Sequence, residues 1–405
     1  MKVEVVLIVL SVVVIFSYLF DLFAKKTKVP SVVLLLFLGI GFQFLSEYFG
    51  LQNINFAAIL PLLGTVGLVL IVLEGSMELI LDREKISLVS RSFFSALVIL
   101  IITSLSIGFF FNYITGEDFR ICLLNSIPLG IISSAIAIPT ATNLPTHKKE
   151  FIIYESSFSD ILGIVLFNFI LINEKVNFRS FFNLGVESIF IIILSFAFCI
   201  FLIYLLRRIK HHLKSFLIIA VLILIFAIGK YFHLSSLIVI MAFGVFLANA
   251  ELIRHPIFRN KIMYDRFKSD LSEMTILTGE SAFLVRTFFF LIFGYTMDLH
   301  LLISIEMLAD GASVILIIYT IRFLYQRIIH KSSSLTEIFL SPRGLISILL
   351  YFSIPENLRL QGLESGLLFF VILVSSLIMP IGLIGKHKLP ETAEPESNSQ
   401  PTPSS

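Results

Sequence analysis

The chain has 405 residues, of which 57% are hydrophobic and 14% are charged, and its mean hydropathy is +0.98. About a quarter of the residues of a soluble globular chain are charged, so this composition excludes an ordinary soluble domain and indicates a polytopic membrane protein. The formal net charge is only +2 and the sequence contains no basic arm. We therefore expect a lipid bilayer as partner and no nucleic acid.

Apolar runs of about twenty residues recur along the whole chain, which is the length that an α-helix needs to cross a bilayer. They predict an all-α protein with about thirteen transmembrane helices. In chain order the predicted spans are 3–23, 30–46, 55–79, 89–112, 119–146, 151–173, 184–206, 215–232, 234–250, 281–299, 301–326, 334–353 and 362–385.

Two segments fall outside these spans. Residues 251–280 are rich in charge and are predicted to form an amphipathic linker on the membrane surface. Residues 386–405 are rich in Pro, Ser and Glu, a composition typical of a disordered tail. Lys and Arg are concentrated in the connections that follow odd-numbered spans. By the positive-inside rule the N-terminus lies outside and the tail is cytoplasmic, and we expect the plasma membrane, which in bacteria is the inner membrane.

The sixth span, 151–173, carries two carboxylates, Glu155 and Asp160. A charged side chain at the centre of a membrane helix costs roughly 2.5–3.5 kcal/mol on insertion scales, so such residues usually have a function. Residues five apart on a helix differ by about 140° in direction. We therefore expect Glu155 and Asp160 to have different neighbours and different roles.

Depth in the membrane predicts partners for both carboxylates. Glu155 is about one turn from the inner end of its span and Arg322 is about one turn from the inner end of the eleventh span. Asp160 and Arg343 both lie near the midplane. Buried charges require compensation, so these two arginines are the candidates. Two other charged residues, Arg286 and Glu74, lie close to predicted helix ends, where we expect contact with solvent.

Two predicted spans are interrupted in mid-membrane. The fifth, 119–146, contains the polar, proline-bearing stretch SSAIAIPTATN, and the twelfth, 334–353, contains SPRG. Because they are seven segments apart, an odd number, they run in opposite directions. Broken helices at corresponding places in two inverted halves are typical of the binding site of a secondary transporter.

These features resemble the monovalent cation:proton antiporter superfamily, of the sodium/proton exchanger type. In that family the proton-binding helix carries Glu-x-x-x-Asn-Asp, where this chain has Glu155 and Asp160 with Ser159 in place of Asn. The remaining matches are LEGSMEL at 73–79, FLIFGYTMDL at 290–299, Arg322 on the helix before the second broken one, and Arg343-Gly344 within it.

The resemblance implies a sodium/proton antiporter fold with inverted repeats and two broken, crossing helices. It implies a transmembrane domain over 1–385, with core helices in 89–173 and 301–385. The helices of 3–79 and 184–299 are then the scaffold through which a homodimer forms. The transport mechanism would be alternating access, and no cofactor is implied.

Candidate site residues follow from this assignment and from their chemistry. Asp160 is expected to bind either H⁺ or a monovalent cation, because burial favours the neutral form of a carboxylic acid and a hard cation prefers oxygen ligands. Glu155 and Arg322 are expected to form a structural ion pair, and Arg343 to compensate carbonyl ends of the broken helices. The further oxygen ligands would be the hydroxyl groups of Ser159, Ser133, Ser134 and Thr140.

The ion and the transport mode remain open on sequence alone. Na⁺/H⁺ exchange is the first prediction, and K⁺/H⁺ exchange is not separated from it. A cation-coupled organic-anion symporter or a cation channel on the same scaffold is the alternative of a different class. An enzyme is not expected, because the sequence contains neither HExxH nor GxSxG.

Overall fold

The computed structural model describes most of the chain, and the following statements concern the residues that it describes. These are 3–27, 29–48, 60–80, 85–141, 144–174, 214–231, 236–250, 267–297, 304–329, 335–360 and 365–384, with scattered residues between 193 and 204.

The described elements are helices throughout. In the first part of the chain they are α1 (Val3–Thr27), α2 (Ser31–Tyr48), α3 (Leu60–Met77), α4 (Ile86–Thr115), α5 (Phe119–Gly130), α6 (Ser134–Thr140) and α7 (Thr146–Ile172). In the second part they are α8 (Lys214–Tyr231), α9 (Ser236–Ala248), α10 (Phe267–Tyr295), α11 (Ile305–Ile328), α12 (Leu335–Phe339), α13 (Leu345–Ser353), α14 (Ser365–Ile378) and α15 (Ile381–Ile384). A short 3-10 helix, Glu356–Leu358, lies between α13 and α14.

The two predicted helix interruptions are present. The first separates α5 from α6 at residues 131–133, and the second separates α12 from α13 at 340–344. Proline removes a backbone N–H and clashes with the preceding turn. Pro342 lies within the second break, whereas Pro128 lies inside α5, three residues before the first break, and Pro139 lies near the end of α6. This confirms the prediction of two broken helices.

The helices pack in two groups. In one group α4 packs against α5, α7 and α11, α11 packs against α14, and α13 packs against α5. In the other group, α10 packs against α2 and α3, and α3 packs against α9. Among the described residues, six helical segments are long and apolar enough to cross a membrane, and several further helices are apolar but shorter. The expected all-α, polytopic membrane architecture is confirmed.

One predicted boundary is wrong. Residues 267–280 are not part of a surface linker, because α10 begins at Phe267 and continues without interruption to Tyr295. Its first half buries Phe267, Asp270, Met274 and Thr278, which recur at helical spacing. Two of these four are polar, so hydropathy alone missed the helix. Residues 251–266, most of the predicted span 184–206 and the tail 386–405 lie outside the described residues.

Candidate functional site

The two broken helices meet directly at their interruptions. The backbone N–H of Ser133 donates a hydrogen bond of 2.8 Å to the carbonyl oxygen of Pro342. Gly344 allows this approach, because a Cβ atom at that position would collide with the Ser133 side chain. The extended backbone of the two breaks therefore forms a crossing point in the interior of the bundle.

Two consecutive side chains of α7 support the first break. The Ser159 hydroxyl oxygen accepts a hydrogen bond of 2.9 Å from the backbone N–H of Ile132. The Asp160 Oδ2 atom accepts one of 3.3 Å from the backbone N–H of Ser134, whose hydroxyl also interacts with the carboxylate. An interrupted helix leaves backbone donors without partners, and α7 supplies acceptors for two of them.

One oxygen of the Asp160 carboxylate makes no hydrogen bond of its own with the described part of the chain. Its side chain is 7% exposed, and Oδ1 has no hydrogen-bond partner among the described residues. None of the ion pairs in the described part of the chain involves Asp160. A buried carboxylate without a basic partner is costly when ionised. The arrangement thus leaves the Asp160 carboxylate without a basic side chain to compensate it among the described residues.

The structure brings three of the four hydroxyl candidates to this place. Ser133 and Ser134 lie in and directly after the first break, and Ser159 lies beside Asp160 on α7. Thr140 is different, since it lies six residues beyond Ser134, about 9 Å along a helix. Its hydroxyl donates to the carbonyl of Ile136 over 2.8 Å, which is the usual local bond of a Thr inside a helix.

Glu155 and Arg322 form a buried ion pair. Arg322 donates from its two terminal nitrogens to both carboxylate oxygens of Glu155, at 2.7 and 3.3 Å. The Ser95 hydroxyl donates to Glu155 Oε1 at 2.5 Å. Both partners are 1% exposed, and the two-pronged geometry is the strong form of an Arg–carboxylate contact.

Both buried arginines also donate to carbonyl groups near the breaks. Arg322 Nε donates to the carbonyl of Glu337 at 2.7 Å. Arg343 donates through Nε to the carbonyl of Leu129, near the end of α5, at 2.8 Å, and through a terminal nitrogen to the carbonyl of Ser341. Arg343 therefore lies on carbonyl ends of the broken helices and forms no ion pair with Asp160, the partner that its depth suggested.

The structure also shows a polar pair that sequence reasoning missed. Arg286 lies 3.6 Å from Glu74 and donates to the carbonyl of Ala135 at 3.0 Å. The expectation that Arg286 and Glu74 face solvent near helix ends is wrong, since their side chains are only 13% and 27% exposed. Arg286 lies well inside α10, because that helix begins at Phe267.

Comparison with known proteins identifies the family and the fold. The family model described as "Sodium/hydrogen exchanger, transmembrane" matches residues 10–384. A search of curated proteins found no match. The sodium proton antiporter MjNhaP1 from Methanocaldococcus jannaschii, solved at pH 8, is 20% identical with a TM-score of 0.68, and the match covers 95% of this chain and 99% of that one.

An electron-microscopy structure of the same antiporter matches with 19% identity and a TM-score of 0.66, covering 95% of each chain. At these identities the likeness shows a shared fold. The family match, which extends over nearly the whole chain, confirms the resemblance inferred from the motifs. The chain belongs to the sodium/hydrogen exchanger family.

Proposed function

We propose that the chain is a secondary active antiporter that exchanges Na⁺ for H⁺ by alternating access, with Asp160 as the shared site. Family membership supports cation/proton antiport in general. The observation that carries the residue assignment is the unpaired Oδ1 of Asp160 beside the crossing of two broken helices. A transporter site at such a crossing is typical of inverted-repeat folds.

The chemistry at Asp160 follows from charge compensation. In the ionised form the carboxylate requires a positive charge, and a bound cation supplies it. In the protonated form the group is neutral and no cation is held. Because one carboxylate cannot satisfy both ligands at once, H⁺ and the cation compete, which couples their movements.

The remaining ligands of the cation are oxygen atoms at the same crossing. Hydroxyl and carbonyl oxygens suit a hard monovalent cation, and Ser133, Ser134 and Ser159 are all buried there. The Ser159 oxygen accepts one hydrogen bond from Ile132 and retains a second lone pair. Thr140 belongs to the ligand set only if α6 rearranges, since its hydroxyl bonds within its own helix.

The helices divide into a moving and a fixed part in this proposal. The core consists of α4–α7 and α11–α15, and the scaffold consists of α1–α3 and α8–α10, through which a homodimer forms. The ion pair of Glu155 and Arg322 holds the core together. Arg343 compensates the partial negative charge of the carbonyl groups at the ends of the broken helices. The N-terminus lies outside and the C-terminus lies in the cytoplasm, in the plasma membrane.

The decisive experiment measures proton movement in proteoliposomes. Purified protein is reconstituted with a pH-sensitive dye, and Na⁺, K⁺ or Li⁺ is added to wild type and Asp160→Asn. We expect dequenching with Na⁺ that is abolished in Asp160→Asn. Glu117→Gln is the matched control, since it removes an exposed carboxylate and should leave the signal unchanged.

The other outcomes assign other functions. A response to K⁺ alone identifies a K⁺/H⁺ antiporter. Current without a counter-gradient identifies a channel, and a signal that requires an added organic anion identifies a symporter. No signal with any cation rejects the exchanger proposal.

A further inference from the structure

Two hydrogen bonds join helices α6 and α7, which carry the Asp160 site, to α3 and α10. In the first, Arg286 of α10 donates to the carbonyl of Ala135 in α6 at 3.0 Å. In the second, the Tyr154 hydroxyl of α7 donates to the carbonyl of Ile80, just after α3, at 2.6 Å. In the proposed division both bonds run between core and scaffold.

The first bond has a cause in the sequence. In an α-helix the carbonyl of residue 135 accepts from the N–H of residue 139, but residue 139 is Pro and has no N–H. The Ala135 carbonyl is therefore left without its helical donor. Arg286 supplies a donor from a different helix, and Glu74 of α3 lies 3.6 Å from the same guanidinium.

The second bond lies at the same end of the bundle. Glu74 occupies the last turn of α3 and Ile80 lies three residues after that helix. Tyr154 precedes Asp160 by six residues, about 9 Å along α7. Asn249, directly after α9, donates to the neighbouring carbonyl of Leu79 at 2.7 Å. The end of α3 is thus held from the scaffold side by Asn249 and from the core side by Tyr154.

We propose that Arg286 and Tyr154 form a releasable latch that holds the Asp160-bearing helices against α3 and α10 in one of the two transport orientations. Both bonds end on backbone carbonyls, so release requires no exchange of side-chain partners. Glu74 keeps the Arg286 guanidinium in place when the Ala135 carbonyl moves away. The inference rests on the proposed function in so far as that function requires the core to move.

A distance measurement tests the latch without requiring transport. Spin labels are placed at His147→Cys on α7 and Ile276→Cys on α10, both exposed positions, in a background with Cys122→Ser and Cys199→Ser. The latch variants are Arg286→Gln and Tyr154→Phe. The matched control is Tyr295→Phe, which removes a tyrosine hydroxyl that pairs with Ser46 inside the scaffold.

The expected result is a second interspin distance in both latch variants. The ratio of the two populations should change on the order of tenfold, the factor that corresponds to about 1.4 kcal/mol, while Tyr295→Phe matches the wild type. An unchanged distribution in Arg286→Gln and Tyr154→Phe overturns the latch, as does an equal change in Tyr295→Phe. If Arg286→Gln does not fold, the double variant Glu74→Gln/Arg286→Gln is used instead, because it removes both charges of the pair.

Transport measured on the same samples separates the two proposals. A changed distance distribution in a protein that exchanges no cation for protons supports the latch and rejects the antiporter. Exchange by the wild type, together with an unchanged distance distribution in the latch variants, supports the antiporter and rejects the latch.

Discussion

The backbone N–H of Ser133 donates to the carbonyl of Pro342, so the interruptions of two helices that lie far apart in sequence are bonded to each other. This contact fixes the distance between the two broken helices. It also brings the second break to the residues that Asp160 and Ser159 contact. The geometry of the candidate site therefore depends on both halves of the chain.

Gly344→Ala should separate the two breaks. Its backbone φ of −159° is open to any residue, so the effect is steric, because the added methyl group would meet the Ser133 side chain. Overpacking of a tight interior costs about 1–3 kcal/mol. We expect a lower melting temperature in detergent and a loss of most exchange activity.

Gly41→Ala is the control for this substitution. Gly41 lies in α2, and beyond the adjacent backbone of that helix no described atom lies within 4 Å of the position that an added methyl group would occupy. Alanine should be neutral or slightly stabilising there. Equal losses in both variants would contradict the steric explanation.

Glu155→Gln should destabilise the fold more than it alters ion binding. Removing one partner of a buried ion pair costs about 3–5 kcal/mol, since Arg322 would keep an uncompensated charge. Ser95→Ala, which deletes only the hydroxyl donor to Glu155, should cost less. Thermal unfolding in detergent measures both. A Glu155→Gln protein with normal stability and no exchange would instead assign a transport role to Glu155.

Ser159→Ala should destabilise the backbone conformation at the first break. The backbone N–H of Ile132 would lose its acceptor, and an unsatisfied buried donor costs about 1–3 kcal/mol. We expect reduced exchange, measured as the initial rate at several cation concentrations. Ser159→Asn restores an acceptor oxygen and should recover a large part of the rate. An exchange rate in Ser159→Asn as low as that in Ser159→Ala would show that the hydroxyl itself is required.

Exchange should be electroneutral. Asp160 holds one positive charge whether it binds H⁺ or a monovalent cation, so one cation is exchanged for one proton. Setting the membrane potential with K⁺ and valinomycin should leave the final pH gradient unchanged, provided that K⁺ is not itself transported. A gradient that follows the potential would require an additional proton per cycle.

The sequence predicted the buried ion pair, because two charges of opposite sign inside predicted membrane spans are an unmistakable signal. Depth matching placed Glu155 opposite Arg322. SPRG at 341–344 falls within the second break, and SSAIAIPTATN begins at Ser133, the last residue of the first break. Glu74 and Arg286 also lie at matching depth in the predicted spans, but the expectation that both reach solvent left them unpaired. The start of α10 was placed too late, so that Arg286 was assigned to a helix end. Asp270 and Thr278 are buried polar residues that obscure the helical pattern of its first half. Which carbonyl a buried arginine contacts, as with Arg343 and Leu129, depends on tertiary packing and has no local signal.

Arg343 carries a positive charge that Asp160 does not neutralise, and this has an electrical consequence. Under the proposed mechanism the moving core carries the same fixed charge in the proton-loaded and the cation-loaded state. One elementary charge moved across a potential of 100 mV changes the energy by about 2.3 kcal/mol. The membrane voltage would therefore bias where the core rests and how fast each half of the cycle runs, while the two biases cancel over a full turnover.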